Sequence, residues 1–240
     1  MFLADKRLGA ERLYALAEYD EVLPFETEGI VYDAVSGHPD IFVCPLPHEI
    51  VVAPNLPARW TDSLRRFTTL PVVPGQSPVG DAYPASARYN LGFSEAACVG
   101  GAQTDPYLAD AARKASRQWI SVKQGYVRCN LLWIGSDFVT SDRGIEKALR
   151  AAGHSGLWVD PAPVLLHGFP YGFIGGCAGT DGRHLFWTGA LKHLGAETAK
   201  ALRALAEKKG LETVELSQGP LIDGGGLIRI LSAPLISPAI

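Results

Sequence analysis

Short apolar runs alternate along this chain with polar turns and with stretches of helical spacing, and the alternation repeats. The clearest unit starts at Cys129. CNLLWIG (129–135) is apolar and ends at the turn signal Gly135-Ser136-Asp137, and FVTSD (138–142) follows as a second strand. Residues 143–152 then carry Ile145, Ala148, Leu149 and Ala152 on one helical face, with Gly153 placed to end the helix and Asp142 placed to cap its start. GLWVD (156–160) closes the unit as a third strand, so the order is strand, tight turn, strand, helix, strand.

The same order recurs downstream. GFIGGC (172–177) reads as a short strand, 180–183 as a turn, HLFWTG (184–189) as a strand, 196–209 as a helix stopped by Gly210, and LETVEL (211–216) as the closing strand. Upstream, DIFVCPL and EIVVAP read as a hairpin before a helix over 58–67 and the strand LPVV. YNLGFSEAACVGG precedes a helix that starts at Asp105-Pro106, a cap followed by proline at the first helical position, and QWISV follows. The pair in LIRILSAPLI (227–236) has no helix after it, while the helix over 10–19 and the strand EVLPF have no pair before them. Joined, the two ends complete a fifth unit. A ring closed in this way hides exposed sheet edges; the competing arrangement is an open α/β sheet with irregular connections.

Composition narrows the function classes. The chain of 240 residues reads as a single domain over 1–240, with 47% hydrophobic and 20% charged residues. Its net charge is −3 and its basic residues do not cluster, which argues against nucleic acid as a partner. Charge follows Met-Phe-Leu-Ala at once and no run of 18 apolar residues occurs, so neither a signal peptide nor a membrane span is expected. Cys44, Cys98, Cys129 and Cys177 are widely separated, which fits a reducing, cytoplasmic compartment better than a disulfide framework. The histidines lack metal-ligand spacing such as H-x-x-x-H, and the glycine run 224–226 is no phosphate-binding fingerprint, so no metal and no cofactor is assigned.

GHPDIFVCPL (37–46), VKQGYVRCNLLWIG (122–135), TSDRGI (140–145), HGFPYGFIGGCAG (167–179) and ELSQGPLIDGGG (215–226) together resemble the pentein superfamily, and more closely a bacterial subfamily with that fold. The resemblance implies a five-bladed α/β propeller of strand-strand-helix-strand repeats, its ring closed by the N-terminal helix and strand. It also implies guanidino-group chemistry on a small molecule, with a cysteine nucleophile, a histidine and carboxylates that grip a guanidinium. Catalytic penteins commonly keep the cysteine near the C-terminus after a glycine-rich run, where this chain has Ile230. Guanidine enzymes often flank a glycine pair with acidic residues, where this chain has FIGGC.

A guanidinium carbon is a poor electrophile, so a thiolate is the natural attacking group, a histidine moves the protons and carboxylates orient the planar cation. Cys129 is the candidate nucleophile. It follows GYVR at the start of an apolar strand, with Arg128 beside it to favour the anion. The alternative is that it is the first buried residue of that strand. Cys177, after a glycine pair, is the runner-up; Cys44 and Cys98 read as core. His38 and Asp40, held by Pro39 in the turn before IFVC, are the candidate acid/base pair, and as ordinary turn residues they need no function. Candidate substrate-binding residues are Arg128, Gln124, Tyr126, Asp223 ahead of the glycine run, and Glu95 inside GFSEAA. The reading from a different class is a non-catalytic pentein-fold protein that binds a partner through one ring face, without a preference for nucleic acid.

Overall fold

The computed structural model describes residues 1–231. Its elements begin with β1 (Phe2–Asp5), α1 (Ala10–Ala17) and β2 (Val22–Phe25), then β3 (Val43–Pro45), β4 (Ile50–Val52), α2 (Ala58–Phe67) and β5 (Val72–Pro74). β6 (Gly92–Phe93), β7 (Cys98–Gly100), α3 (Pro106–Ala115) and β8 (Trp119–Ser121) follow. The single turn α4 (Val127–Asn130) leads into β9 (Leu131–Ile134), β10 (Asp137–Thr140), α5 (Arg143–Ala151) and β11 (Gly156–Trp158). The last elements are β12 (Ala178–Thr180), β13 (His184–Trp187), α6 (Ala196–Lys208), β14 (Glu212–Glu215) and β15 (Ile228–Arg229).

The strands form five sheets of three. In each, the middle strand runs antiparallel to one neighbour and parallel to the strand that follows its helix, as in Phe138 opposite Trp133 and Phe138 opposite Gly156. A parallel neighbour needs a long crossover, and the helix supplies it. Capping fixes where those helices start. Asp105 and Asp142 accept the backbone N–H of Leu108 and Ile145 at 3.1 and 2.8 Å, and Gly153 takes φ of +89° beyond α5. Each helix lays its apolar face on its own sheet; in α6 these residues are Ala199, Leu202 and Ala206.

The chain ends share a sheet, but not as LIRILSAPLI suggested. β15 pairs with β1, Leu3 opposite Ile228 and Phe2 opposite Arg229, and Ile230 N–H donates to the Met1 carbonyl at 2.9 Å. Phe2, Leu3 and Ala4 are fully buried, so the four-residue run FLAD, unread as a strand in the sequence, supplies the second strand of the unit. Residues 232–236 of the expected pair lie outside the described residues.

Three other expectations are corrected. Cys129 is not on a strand but on α4, one turn before β9. GFIGGC is a 3-10 turn, Ile174–Cys177, that precedes β12; a side chain at Gly175 would meet the Arg128 carbonyl at 2.2 Å, so the chain passes too close to α4 for a strand with side chains. GFSEAA is broken at Ser94, whose hydroxyl donates to the Ala97 carbonyl at 3.0 Å, and this leaves Glu95 exposed at the tip of the β6–β7 turn. Among the described residues no helix is long and apolar enough to cross a membrane.

Leu3 is 1% exposed in the largest apolar cluster, which also holds Phe25, Phe42 and Ile228. Leu3→Ala should therefore cost about 3 kcal/mol in urea denaturation, and Glu95→Ala less than about 0.5 kcal/mol. Equal costs would mean that β1 is not an integral strand.

Candidate active site

Each strand pair is preceded by a tight turn, and the turns meet. Pro39–Ile41 precedes β3, Ala85–Ala87 precedes β6, α4 precedes β9, Ile174–Cys177 precedes β12, and the glycine run 224–226 precedes β15. Pro39 opens the first of these turns and holds His38 extended ahead of it. The Cys129 thiol donates to Asp40 Oδ2 at 2.9 Å. Asn90 grips the same cysteine twice: its Oδ1 accepts the Cys129 N–H at 3.1 Å, and its Nδ2 donates to the sulfur at 3.2 Å. Cys129, Asp40 and Asn90 are all buried.

His38 stands between two carboxylates, Nδ1 3.9 Å from Asp223 Oδ1 and Nε2 3.9 Å from Asp5 Oδ2. Neither ring nitrogen has a hydrogen-bond partner among the described residues, and neither does Asp40 Oδ1. Asp40 thus bonds the thiol and does not orient His38, which corrects the expected His–Asp pair. Asp223 is fixed by backbone donors, Phe173 N–H at 2.9 Å and Gly225 N–H at 3.0 Å. Asp5 is fixed by Arg7, whose Nε and Nη2 lie 3.0 and 2.7 Å from its oxygens. Gly225 has φ of +69°, and a Cβ there would sit 2.5 Å from His38 Cβ and 2.6 Å from Asp40 Oδ1. Only glycine permits this approach.

Burial dominates the electrostatics. It pushes Asp40 up to about 6 against the hydrogen bond from Cys129 and the charge of Arg128, and Asp223 up to about 6 against His38 and the Gly225 N–H. Burial also holds His38 below its ordinary value, so the imidazole is neutral near pH 7. Burial, then Asp40 and Asp223, push the Cys129 thiol well above its usual value. The sequence suggested that Arg128 lowers it. Instead Arg128 lines a separate cavity with Arg229, and the charges that act on the sulfur are those of Asp40 and Asp223. The resting group is a thiol.

A cavity of about 250 Å³ opens over this cluster, with Cys129, His38 and Asp223 at one side and Tyr32, Tyr126, Phe169, Tyr171 and Phe173 as aromatic walls. Tyr126 is tied to Tyr32 and Ser86 through hydroxyl contacts of 3.1 and 2.5 Å. A second cavity of about 600 Å³ shares His38, Asp223, Leu166, Phe169 and Pro170 with the first and continues past Asp5 and Arg7. Of the residues singled out in the sequence, Cys129, His38, Asp40, Asp223 and Tyr126 are thus brought together. Gln124 is not: its Nε2 donates to Asp142 at 3.3 Å and it lines a different cavity, with Ser121 and Lys123. Glu95 and Arg128 lie apart, as described. Cys177 is buried 3.3 Å from the Phe173 carbonyl and lines neither cavity, and Cys44 and Cys98 are core residues of β3 and β7. Sequence reading missed Asp5, Asn90, Tyr32 and the segment 165–173. One donor atom each from His38, Cys129 and Asp223 lie within 4.8 Å of one another, so these three could hold a metal ion, from positions far too distant in sequence to show as a motif.

Fold and site together define an α/β protein of five small sheets whose turns enclose a thiol, an imidazole and carboxylates. The chain belongs to the family of unknown function DUF6873, which it matches over residues 3–228. No curated protein matches it at a significant level. Among solved structures it is similar to the crystal structure of a dimethylarginine dimethylaminohydrolase adduct with 4-chloro-2-hydroxymethylpyridine. The TM-score is 0.52 and the identity 12%, over 90% of this chain and 91% of that one. At that identity the likeness is one of fold alone.

The raised carboxyls make a signed prediction. A carboxyl that titrates near 3.8 when unfolded and near 6 when folded binds more protons in the folded state between those values, so its contribution to stability falls as pH rises through that window. For Asp40 the difference is about 3 kcal/mol. His38 acts oppositely, because its depressed value makes the fold gain stability as pH rises toward about 6.5, where the gain is complete. Asp40→Asn should therefore be more stable than wild type in urea at pH 8, with the advantage shrinking toward zero at pH 4. An advantage independent of pH would show that Asp40 is not a buried charge.

Proposed function

We propose that this protein is a cysteine-dependent hydrolase or transferase that acts on a guanidino- or amidino-type carbon–nitrogen bond of a small molecule through a covalent thiol intermediate. The scaffold in this reading is one domain, a five-bladed α/β propeller closed by the N-terminal strand and helix. Its support is the shared sheet of β15, β1 and β2, together with the packing of β6 on β9 and β12 on β15. The observation that carries the chemistry is the Cys129 thiol, 2.9 Å from Asp40 and within 4.8 Å of donor atoms of His38 and Asp223, in an aromatic-walled cavity. Such a wall favours a cation, and Asp223 offers it a counter-charge. The four free cysteines suit a reducing, cytoplasmic setting.

The high thiol pKa gives the mechanism its order. A bound amidinium offsets the carboxylates that oppose the thiolate, so activation comes with the substrate. The C–S bond forms as the thiol proton passes to Asp40, and Asp40 delivers that proton to the departing nitrogen as the C–N bond breaks. This leaves an S-amidino intermediate and a free amine. Water then adds to the same carbon while His38 takes its proton. The C–S bond breaks, the proton returns to sulfur, and a ureido product leaves. With an amine in place of water the outcome is transfer. Asn90 holds the sulfur in line and donates to it as charge develops.

Chloroacetamidine and chloroacetamide are near-isosteres that differ in charge, which makes them a direct test. The cation should alkylate Cys129 at least a hundredfold faster than the neutral reagent near pH 7.5, an advantage of about 2.7 kcal/mol. Asp223→Asn should remove most of that preference, and Cys129→Ala should remove the labelling. Equal rates for the two reagents, or labelling at another cysteine, would sink the proposal.

The cluster of His38, Cys129 and Asp223 favours one second reading, a resident divalent metal such as zinc. Chelation of the purified protein before alkylation distinguishes them: an unchanged Cys129 rate is expected for the thiol reading, and a rise with release of stoichiometric metal for the other.

A further inference from the structure

The first strands of all five strand pairs line a further cavity. Pro45 of β3, Phe93 of β6, Trp133 of β9, Thr180 of β12 and Arg229 of β15 border a cavity of about 220 Å³ that shares no residue with the two around His38. Arg128 reaches into it from α4. Arg128 Nε and Arg229 Nε are both buried with no hydrogen-bond partner among the described residues, and so is the indole N–H of Trp133. Arg229 gives one other N–H, from Nη1, to the Asp181 carbonyl. No carboxylate is among the described residues that line it. Two half-buried arginines line one small cavity, each with a buried Nε–H that lacks a partner, and they make it a positive site with donors to spare.

We infer that this cavity is a binding site for a compact oxyanion of the phosphate class, held by Arg128 and Arg229. Guanidinium groups present planar pairs of N–H donors that match two oxygens of such an anion, and an anion there satisfies the donors and screens the repulsion between the two cations. The glycines at the rim suit a narrow site: a Cβ at Gly179 would lie 2.2 Å from the Leu227 carbonyl and one at Gly92 2.7 Å from Leu131, so the strands close tightly around the space. The site is built without Cys129, His38 or Asp223, and the inference does not depend on what those residues do. Arg128 adjoins Cys129 in sequence, but the charged group on which it acts is Asp40.

Isothermal titration calorimetry with inorganic phosphate, on the full chain at low chloride and at physiological salt, tests the assignment. The expected result is saturable one-to-one binding at or below millimolar concentration, weakened at least tenfold by Arg128→Gln and by Arg229→Gln separately, largely kept in Arg128→Lys, and unchanged in Cys129→Ala. Far-UV circular dichroism of each variant establishes that it is folded, and the two glutamine variants guard against the loss of either one. Absence of saturable binding, or affinity unchanged in both glutamine variants, overturns the inference.

Discussion

The constraint on which the rest of the molecule depends is the meeting of five chain turns around a cluster of polar groups with almost no water-accessible surface. Asp40, Asp223, His38 and Cys129 are each 3% exposed or less. Such groups are expensive to bury, and the structure meets the cost unevenly. Asp223 and Asp5 are satisfied, one by backbone N–H groups and the other by Arg7. His38 and Asp40 Oδ1 are left with open valences. Backbone donors and a locked arginine hold the frame rigid, while the unsatisfied atoms belong to His38 and to Asp40, the residue that bonds the thiol. That division is what a site needs if a ligand, rather than the protein, is to complete the set of hydrogen bonds.

Glycine makes the meeting possible. At Gly176 a Cβ would fall 1.8 Å from Asp223 Oδ1, and at Gly225 2.5 Å from His38 Cβ, so two of the five turns surrender their side chains to let the other three present theirs. The repeat is therefore uniform in backbone and divided in chemistry. The turns before β3, β6 and β9 carry Asp40, Asn90 and Cys129, whereas those before β12 and β15 carry glycine at the centre. Extended sheets then follow each turn outward, with the helices α1, α2, α3, α5 and α6 as crossovers. The apolar clusters form within and between these units, and the polar cluster occupies the place where they converge.

Much of this was legible in the sequence, and the reasons for the gaps are specific. The helices carried their own punctuation in Asp105-Pro106, Asp142 and Gly153, so their positions followed from local chemistry. Cys129, His38, Asp40, Asp223 and Tyr126 stood beside turn residues or a glycine run, which marked them. Asp5 had no such mark, because FLAD is an ordinary apolar run whose last residue faces the site only once β15 has paired with β1. Asn90 was hidden in YNLG, although alignment of the repeats finds it: it stands two residues before β6, as Cys129 stands two residues before β9. Glu95 misled because an acid inside an apolar run reads as buried, when Ser94 had already ended the strand. The direction of Arg128 could not be read at all. Neighbours on one helical turn point about 100° apart, and only the fold decides which of them faces the thiol.

That last point governs how the thiol behaves. With Arg128 turned away, the field at Cys129 comes from Asp40 and Asp223, and both oppose a thiolate. A cysteine activated in advance would react with any electrophile that entered an aromatic-walled cavity. In the proposed mechanism a cysteine held neutral by burial and by two carboxylates is roused by a cation that pairs with those carboxylates, so that selectivity and activation share one cause. The same carboxylates that burden the fold near neutral pH, each raised to about 6 by burial, are those that a cationic substrate would relieve. Stability given up at Asp40 and Asp223 is in this sense stored for binding, which places the strain of the fold and the chemistry of the site on the same two side chains.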